Sequence, residues 1–328
     1  MSTCTIVMFH YVRDLKHSRY PEIKGCDLAT FRGQLDYIQS TYVPVSADDI
    51  RACLNGERSL PPEACLLTFD DGYLDHYTDV FPELVKRGLS GCFYPPVNAV
   101  QRDKVLEVNK IHLLLAHVGY AATDRLIETL RCEYERMTHQ RTGLPSFEDL
   151  WKEYAHPGRF DTAEVIFFKR VLQHALPLDV RTVLLDRMFR QHMDADEITL
   201  ARELYLSTDM LRIMAKAGMH IGSHGTSHAW LDKIDVDAQR REIDGSLAML
   251  ETVYGGKTFF WSIAYPFGGN NASLQEICSR RGAVFGMTTV AGPATVSWQN
   301  RLVLPRLDTN DLPHESATEP HKQETRLS

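Results

Sequence analysis

The sequence lacks the features of a membrane or exported protein. It contains no run of about 18 or more apolar residues, so a transmembrane helix is not expected. Its first four residues have neither the basic segment nor the apolar core of a signal peptide. The seven cysteines are odd in number and show no paired spacing, which is typical of reduced thiols. These absences predict a cytoplasmic protein.

Positive charge is also scarce. The chain has 36 Lys and Arg against 43 Asp and Glu, a formal net charge of −7 and a pI near 6.1. Because phosphate groups attract basic surfaces, no nucleic-acid or anionic-membrane partner is indicated. The 44% hydrophobic and 24% charged fractions are those of a globular protein, with length for one large domain or a domain with an insertion.

Two adjacent carboxylates follow a short apolar stretch. Residues 65–69 predict a buried strand, and Asp70, Asp71 and Gly72 come directly after it. Neighbouring acids repel each other unless a cation or a shared proton compensates. The alternative interpretation is an ordinary solvated turn, because Asp and Gly are common turn residues.

A pair of histidines lies far along the chain. His224 and His228 are four residues apart, a spacing that binds zinc when it occurs on a helix. Gly222 and Gly225 argue against a helix and favour a short strand over residues 219–223 followed by a loop. Two imidazoles and a carboxylate from separate strand ends would form a metal-ligand set with open positions for water. Histidines without any ligand role are the alternative.

These motifs together resemble those of the polysaccharide deacetylases, the NodB-homology or carbohydrate esterase 4 family. The matching segments are TFDDG at 68–72, HGTSH at 224–228 and YPFG at 265–268. The resemblance extends from about residue 5 to residue 307, with a long interruption. It implies a distorted (β/α)7-type barrel and hydrolysis of an N-acyl group on an amino sugar.

The resemblance also implies roles for individual residues. The implied metal ligands are Asp71, His224 and His228. The metal would be Zn²⁺, with Co²⁺, Ni²⁺ or Fe²⁺ as alternatives, and Asp70 would act as the catalytic base. The implied substrate-binding residues are Tyr265, Pro266 and Phe267, and the Phe267 N–H would face the oxyanion.

The sequence departs from the family pattern at three positions. Ala264 stands where relatives have an arginine that holds the base, and the last strand reads Leu304-Pro305-Arg306-Leu307 without the usual general-acid histidine. Trp298 lacks the acids of the fourth signature. His10, which follows the apolar residues 6–9, could be the acid, and Arg306 could hold the base. A partly degenerate site is the third explanation.

The organisation of the chain follows from its periodicity. Strand and helix patterns alternate over residues 1–97 and 206–310, with functional residues at strand ends, which predicts an α/β barrel. Residues 98–205 show helical periodicity only and predict an inserted helical subdomain. The polar residues 311–328 predict a disordered tail.

The expected function is metal-dependent N-deacetylation of a cytoplasmic glycan precursor, a nucleotide-sugar or a surface-polysaccharide intermediate. The partner would be a small molecule or oligosaccharide that contains an amino sugar. A non-catalytic carbohydrate-binding protein of the same fold is one alternative. A two-carboxylate glycosidase is another, although adjacent acids on one strand fit it poorly.

Overall fold

The computed structural model describes residues 2–139, 141–158, 161–256 and 259–313. Contacts within the chain define two compact units. The barrel unit consists of residues 1–13, 26–97 and those from 208 onwards, and the helical unit consists of residues 14–25 and 98–207. Of the predicted tail, residues 314–328 lie outside the described part of the chain. None of the described helices is both long and apolar enough to cross a membrane.

All of the strands belong to the barrel unit. They are β1 Ser2–Phe9, β2 Val12–Arg13, β3 Cys26–Asp27, β4 Val43–Val45, β5 Ala64–Asp70, β6 Cys92–Tyr94, β7 His220–Ile221, β8 Trp261–Ala264, β9 Ala283–Met287, β10 Ala294–Val296 and β11 Leu307–Asp308. The largest sheet has the order β10-β1-β5-β6-β7, with β11 paired to β1 and β4 paired to β5. Its pairings are parallel except that between β1 and β10.

The parallel pairings form a closed circuit. Single parallel bridges join Ser223 to Ile263 and Met287 to Leu304, and β8 pairs with β9. The circuit therefore runs through β1, β5, β6, residues 220–223, β8, β9 and residues 304–308 before it returns to β1. The predicted α/β fold, a distorted barrel of (β/α)7 type, is confirmed.

Helices connect most of these strands. In the barrel unit they are Leu28–Thr41, Ala47–Leu54, Phe81–Lys86, Thr208–Lys216, Val236–Tyr254 and Ala272–Arg280. Local sequence sets their ends: the Asp235 side chain accepts from Ala238 N, and Gly255 ends the same helix in the left-handed conformation. The sequence also predicts a helix from about residue 74 to residue 86, and the structure has a π-helix at His76–Val80 in its first part.

The helical unit contains the long insertion. Its helices are Glu107–Val118, Thr123–Thr138, Phe147–Tyr154, Ala163–Arg170, Leu178–His192 and Glu197–Leu204, and Val97–Gln101 begins at its boundary. Apolar positions at helical spacing are buried in each of them, for example Leu126 and Leu130. The segment 14–25, which the sequence analysis assigned to the barrel, is part of this unit.

The last strand differs from the prediction. The sequence predicts a strand over residues 301–307, but the structure has β11 at Leu307–Asp308 and only a single bridge at Leu304. Pro305 has no N–H to donate, which interrupts regular pairing at this point. The segment nevertheless delivers Arg306 into the interior of the barrel, where the side chain is 1% exposed.

Candidate functional site

The two adjacent acids lie at the carboxyl end of β5. All seven residues of β5 are buried, and Asp70 is its last residue. Asp71 follows with φ +72°, and its N–H donates to Tyr94 O at 3.1 Å. Gly72 also has a positive φ, and a Cβ there would lie 2.6 Å from Pro95 Cβ, so this turn requires glycine.

Asp70 is neutralised inside the protein. Arg306 Nη1 and Nη2 donate to its two carboxylate oxygens at 3.0 and 2.7 Å, and both side chains are almost fully buried. Arg306 is itself fixed, because its Nε donates to Thr288 O at 2.9 Å. Burial alone would raise the pKa of Asp70, but the Arg306 charge holds it below its ordinary value. Asp70 is therefore ionised and oriented.

Asp71 faces the two histidines of the second motif. Its Oδ1 lies 3.3 Å from His224 Nε2 and 3.1 Å from His228 Nε2. All three residues are buried, and one ligand atom from each lies within 4.8 Å of the others. The structure therefore brings together the three side chains that the sequence predicts as metal ligands.

The protonation state of this cluster favours a cation. His224 Nδ1 lies 2.6 Å from Ala264 O, and because a carbonyl can only accept, we assign the proton to Nδ1. In neutral His224 the Nε2 lone pair then faces Asp71 Oδ1, which has no hydrogen-bond partner among the described residues. Lone pairs that converge in a buried site repel each other unless a cation lies between them. The donor set fits a divalent metal.

Glu242 holds the histidine loop in place. Its Oε2 accepts from Thr226 N at 2.6 Å and from Ser227 N at 2.9 Å, and Ser227 Oγ donates to its Oε1. Gly225 between the histidines has φ +71°, and a Cβ there would lie 2.9 Å from Glu242 Oε2. Glu242 was missed by the sequence analysis, because it lies on the following helix, Val236–Tyr254, and not in the histidine motif.

The third motif contributes an aromatic side chain to the site. The Phe267 ring lies 4.7 Å from the His228 ring, edge to face, and stacks on Trp230 at 4.6 Å with an interplanar angle of 10°. Phe267 has φ +56°, a strained conformation for a residue other than glycine. Trp230, which follows the second motif by two residues, was missed by the sequence analysis.

Two other residues of the third motif, Tyr265 and Pro266, are buried. Pro266 and Tyr265 both lie in the interior, and the Tyr265 side chain is 0% exposed. Burial raises the pKa of Tyr265 well above its ordinary value. The Tyr265 side chain therefore presents no surface to a bound ligand, unlike the half-buried Phe267.

His10 lies just after β1 and is half-buried. Its carbonyl oxygen accepts from His76 Nε2 at 2.8 Å. Burial lowers the pKa of His76 to about 4, so His76 is neutral at pH 7. His76, on the π-helix that follows the acids, was also missed by the sequence analysis.

The fold and the buried Asp-His-His cluster can be compared with known proteins, and the chain is similar to the polysaccharide deacetylases. The family model for polysaccharide deacetylase matches residues 184–286, which include both histidines but not the two acids. The resemblance to this family that the sequence predicts is confirmed.

The chain is also similar to an individual deacetylase over a short segment. Over 46 residues the chain is 50% identical to the poly-beta-1,6-N-acetyl-D-glucosamine N-deacetylase of Escherichia coli strain K12. That match covers 14% of this chain and only 7% of the E. coli protein.

Two solved structures are similar over almost the whole chain. The Streptococcus pyogenes deacetylase PplD in complex with acetate has 17% identity and a TM-score of 0.55, with coverage of 93% of this chain and 92% of PplD. A de-N-acetylase from Aggregatibacter actinomycetemcomitans has 14% identity and a TM-score of 0.53, with coverage of 94% and 96%. At these identities the likeness establishes the fold.

Proposed function

We propose that this protein is a metal-dependent hydrolase that removes the N-acetyl group of an amino sugar. The observation that carries the proposal is the convergence of Asp71, His224 and His228 beside an ionised, Arg-bound Asp70. The proposal agrees with the names of the similar proteins, which are deacetylases.

The metal site would be formed by the two histidine Nε2 atoms and Asp71 Oδ1. A divalent ion such as Zn²⁺ supplies a Lewis acid there that polarises the substrate carbonyl and acidifies water. Asp70 accepts the proton of the attacking water, because it is ionised and adjacent to the ligand Asp71. Arg306 fixes both oxygens of Asp70 and so keeps the base in one orientation.

We assign the general acid to His10. The amine that leaves the tetrahedral carbon must take up a proton, and the last strand, Leu304-Pro305-Arg306-Leu307, lacks the histidine that the family uses for this. His10 directly follows β1, and β1 pairs with β5, the strand that ends at Asp70. Its half-buried position leaves it open to a substrate.

The proposed substrate is a glycan that contains N-acetylglucosamine or a related N-acetyl amino sugar. The E. coli relative carries poly-N-acetylglucosamine in its name, which supports this chemistry. All seven cysteines are free thiols, as is typical of a reducing compartment, and we therefore propose a cytoplasmic precursor or nucleotide-sugar.

A non-catalytic carbohydrate-binding protein is the second candidate. It is favoured by Ala264 and by the missing histidine of the last strand, two departures from the catalytic pattern. The position of Arg306 weakens this candidate. Its side chain contacts Asp70, the proposed base, as the arginine that is replaced by Ala264 here would do in relatives. A glycosidase is disfavoured, because Asp70 and Asp71 are adjacent residues at the end of one strand rather than acids on different strands.

The test combines metal content with product release. We expect about one divalent metal per chain by elemental analysis, its loss in His224→Ala and Asp71→Ala, and acetate release from N-acetyl amino-sugar substrates. The substrates would be UDP-N-acetylglucosamine, short N-acetylglucosamine oligomers and the polymer. Metal binding and oligomer binding without acetate release would favour the carbohydrate-binding protein instead.

A further inference from the structure

Tyr73 contacts the predicted metal ligand Asp71 directly. Its hydroxyl lies 2.7 Å from Asp71 Oδ2, and the side chain is fully buried. A carboxylate can only accept, so the hydroxyl donates and Oδ2 is engaged. The other oxygen, Oδ1, is the one that faces His224 and His228.

We propose that Tyr73 is a positioning residue for the metal centre, which selects Asp71 Oδ1 as the ligand atom and holds it towards the two histidines. A carboxylate that rotates freely could present either oxygen, or both, to a cation. With Oδ2 engaged by a neutral hydroxyl, only Oδ1 is directed at the site. The inference rests on the proposed function, because it assigns a role within the same centre.

The backbone of Asp71 explains why a side-chain anchor is needed. Asp71 has left-handed φ and is followed by Gly72, also with positive φ. The Asp71 N–H is held by Tyr94 O, but this bond fixes the main chain and leaves the rotation of the carboxylate open. The Tyr73 hydroxyl supplies the constraint that the turn lacks. Outer hydrogen bonds of this kind typically contribute 10- to 100-fold to metal affinity.

The Tyr73 ring is itself immobilised. It stacks on the Tyr11 ring, with 3.9 Å between the ring centres and an interplanar angle of 21°. The Arg13 guanidinium lies 4.9 Å from the centre of the Tyr11 ring. Arg13 Nε in turn donates to Asp75 Oδ2 at 2.7 Å. The stack thus connects the end of the first strand to the turn after β5, and it fixes the ring that carries the hydroxyl.

The test is the zinc affinity of Tyr73→Phe, which removes the hydroxyl and keeps the ring. We expect the Zn²⁺ dissociation constant, measured by competition with a chromogenic chelator, to rise about 10- to 100-fold. Tyr205→Phe is the matched control, because its buried hydroxyl also donates to a side chain, Asn109 Oδ1 at 2.6 Å, and touches no ligand residue. The metal-free melting temperature is measured for both variants, so that lost stability is separated from lost affinity.

The outcomes separate this inference from the proposed function. A Tyr73→Phe variant that binds Zn²⁺ as tightly as the wild type would overturn the positioning role, whatever its activity. A wild type that binds Zn²⁺ but releases no acetate would remove the deacetylase proposal and leave the positioning role standing if Tyr73→Phe binds more weakly. If Tyr73→Phe does not fold, Tyr11→Leu removes the stacking support instead; weaker zinc binding there supports the role, and unchanged binding overturns it.

Discussion

Asp70 and Asp71 are neighbours in sequence and equally buried, yet their surroundings are opposite. Asp70 has a full positive charge against both oxygens, supplied by Arg306 from the far end of the chain. Asp71 Oδ1 faces two histidine nitrogens, and among the described residues no lysine or arginine forms an ion pair with Asp71. One acid is neutralised by a charge within the chain, and the other belongs to the ligand set that we propose for a divalent metal.

The backbone produces this difference. Successive side chains of a strand point to opposite faces, and Asp70 still belongs to β5. Asp71 has left the strand with φ +72°, which turns its carboxylate towards the histidine loop. A single change of backbone conformation therefore separates the proposed base from the proposed metal ligand, and tests can treat the two acids differently.

The largest expected effect is on catalysis in Asp70→Asn. Because asparagine cannot take up the proton of water, acetate release should fall about 10²- to 10⁴-fold while zinc remains bound. Asp71→Asn should instead lose zinc, because one of the three ligands becomes neutral. Zinc content and acetate release are measured on the same folded samples. Zinc loss in Asp70→Asn, with retention in Asp71→Asn, would reverse the assignment of the two acids.

The next effect is on the free energy of unfolding, to which the buried Asp70–Arg306 ion pair should contribute strongly. Arg306→Met leaves a buried carboxylate without its charge partner, and we expect the free energy of unfolding to fall by about 3–5 kcal/mol in denaturant titrations. Arg281→Met is the matched control, because Arg281 contacts both oxygens of Asp244 at 2.7 and 2.8 Å in a half-exposed position.

The exposed pair should contribute about 0.2–1 kcal/mol, since water screens it. Adding Asp70→Asn to Arg306→Met removes the unpaired charge and should recover part of the lost stability. Equal losses in Arg306→Met and Arg281→Met would show that burial of the first pair has no energetic consequence.

His10→Ala tests the proton donor that the two acids do not supply. Turnover should fall about 100-fold, at the lower end of the range for general acid catalysis. Zinc binding should be retained. The contact with His76 should persist, because it is made by the His10 carbonyl and not by the imidazole. His17→Ala, a change at an exposed histidine, is the control. Near-wild-type turnover in His10→Ala would exclude His10 as the general acid.

Much of the fold and the ligand set could be predicted from local sequence. The apolar residues before Asp70 and the glycines around His224 indicate strands that end in loops, and parallel strands bring such ends to one edge. The helical periodicity of residues 98–205 likewise predicted helices, and the structure has helices over most of this range. These features depend on patterns that are short-range along the chain.

The remaining features depend on contacts between distant segments. Glu242 and Trp230 carry no motif of their own and become relevant only through the loop geometry that places them beside the histidines. The grouping of residues 14–25 with the helical unit has no local signal either. Tyr73 follows the first motif directly, but its hydroxyl could be recognised as a partner of Asp71 only from the positive φ of the turn.

The last expected effect concerns another buried ionisable group, His220, for which the described part of the chain shows neither an ion pair nor a place in the metal-ligand cluster. Its Nε2 lies 2.8 Å from Ser262 Oγ, and burial lowers its pKa from the ordinary 6.5 to about 4. Between those values the unfolded chain binds a proton that the folded chain does not. The stability present above pH 6.5 is therefore lost as the pH falls towards 4, by up to about 3 kcal/mol.

His220→Phe keeps a ring that can stack on Phe260 and removes the titration. The free energy of unfolding of this variant should thus decline less steeply than that of the wild type below pH 6.5. Part of the decline should remain, because His76 keeps its own lowered pKa. An unchanged slope would mean that the buried His220 accepts a proton as readily as it does in water.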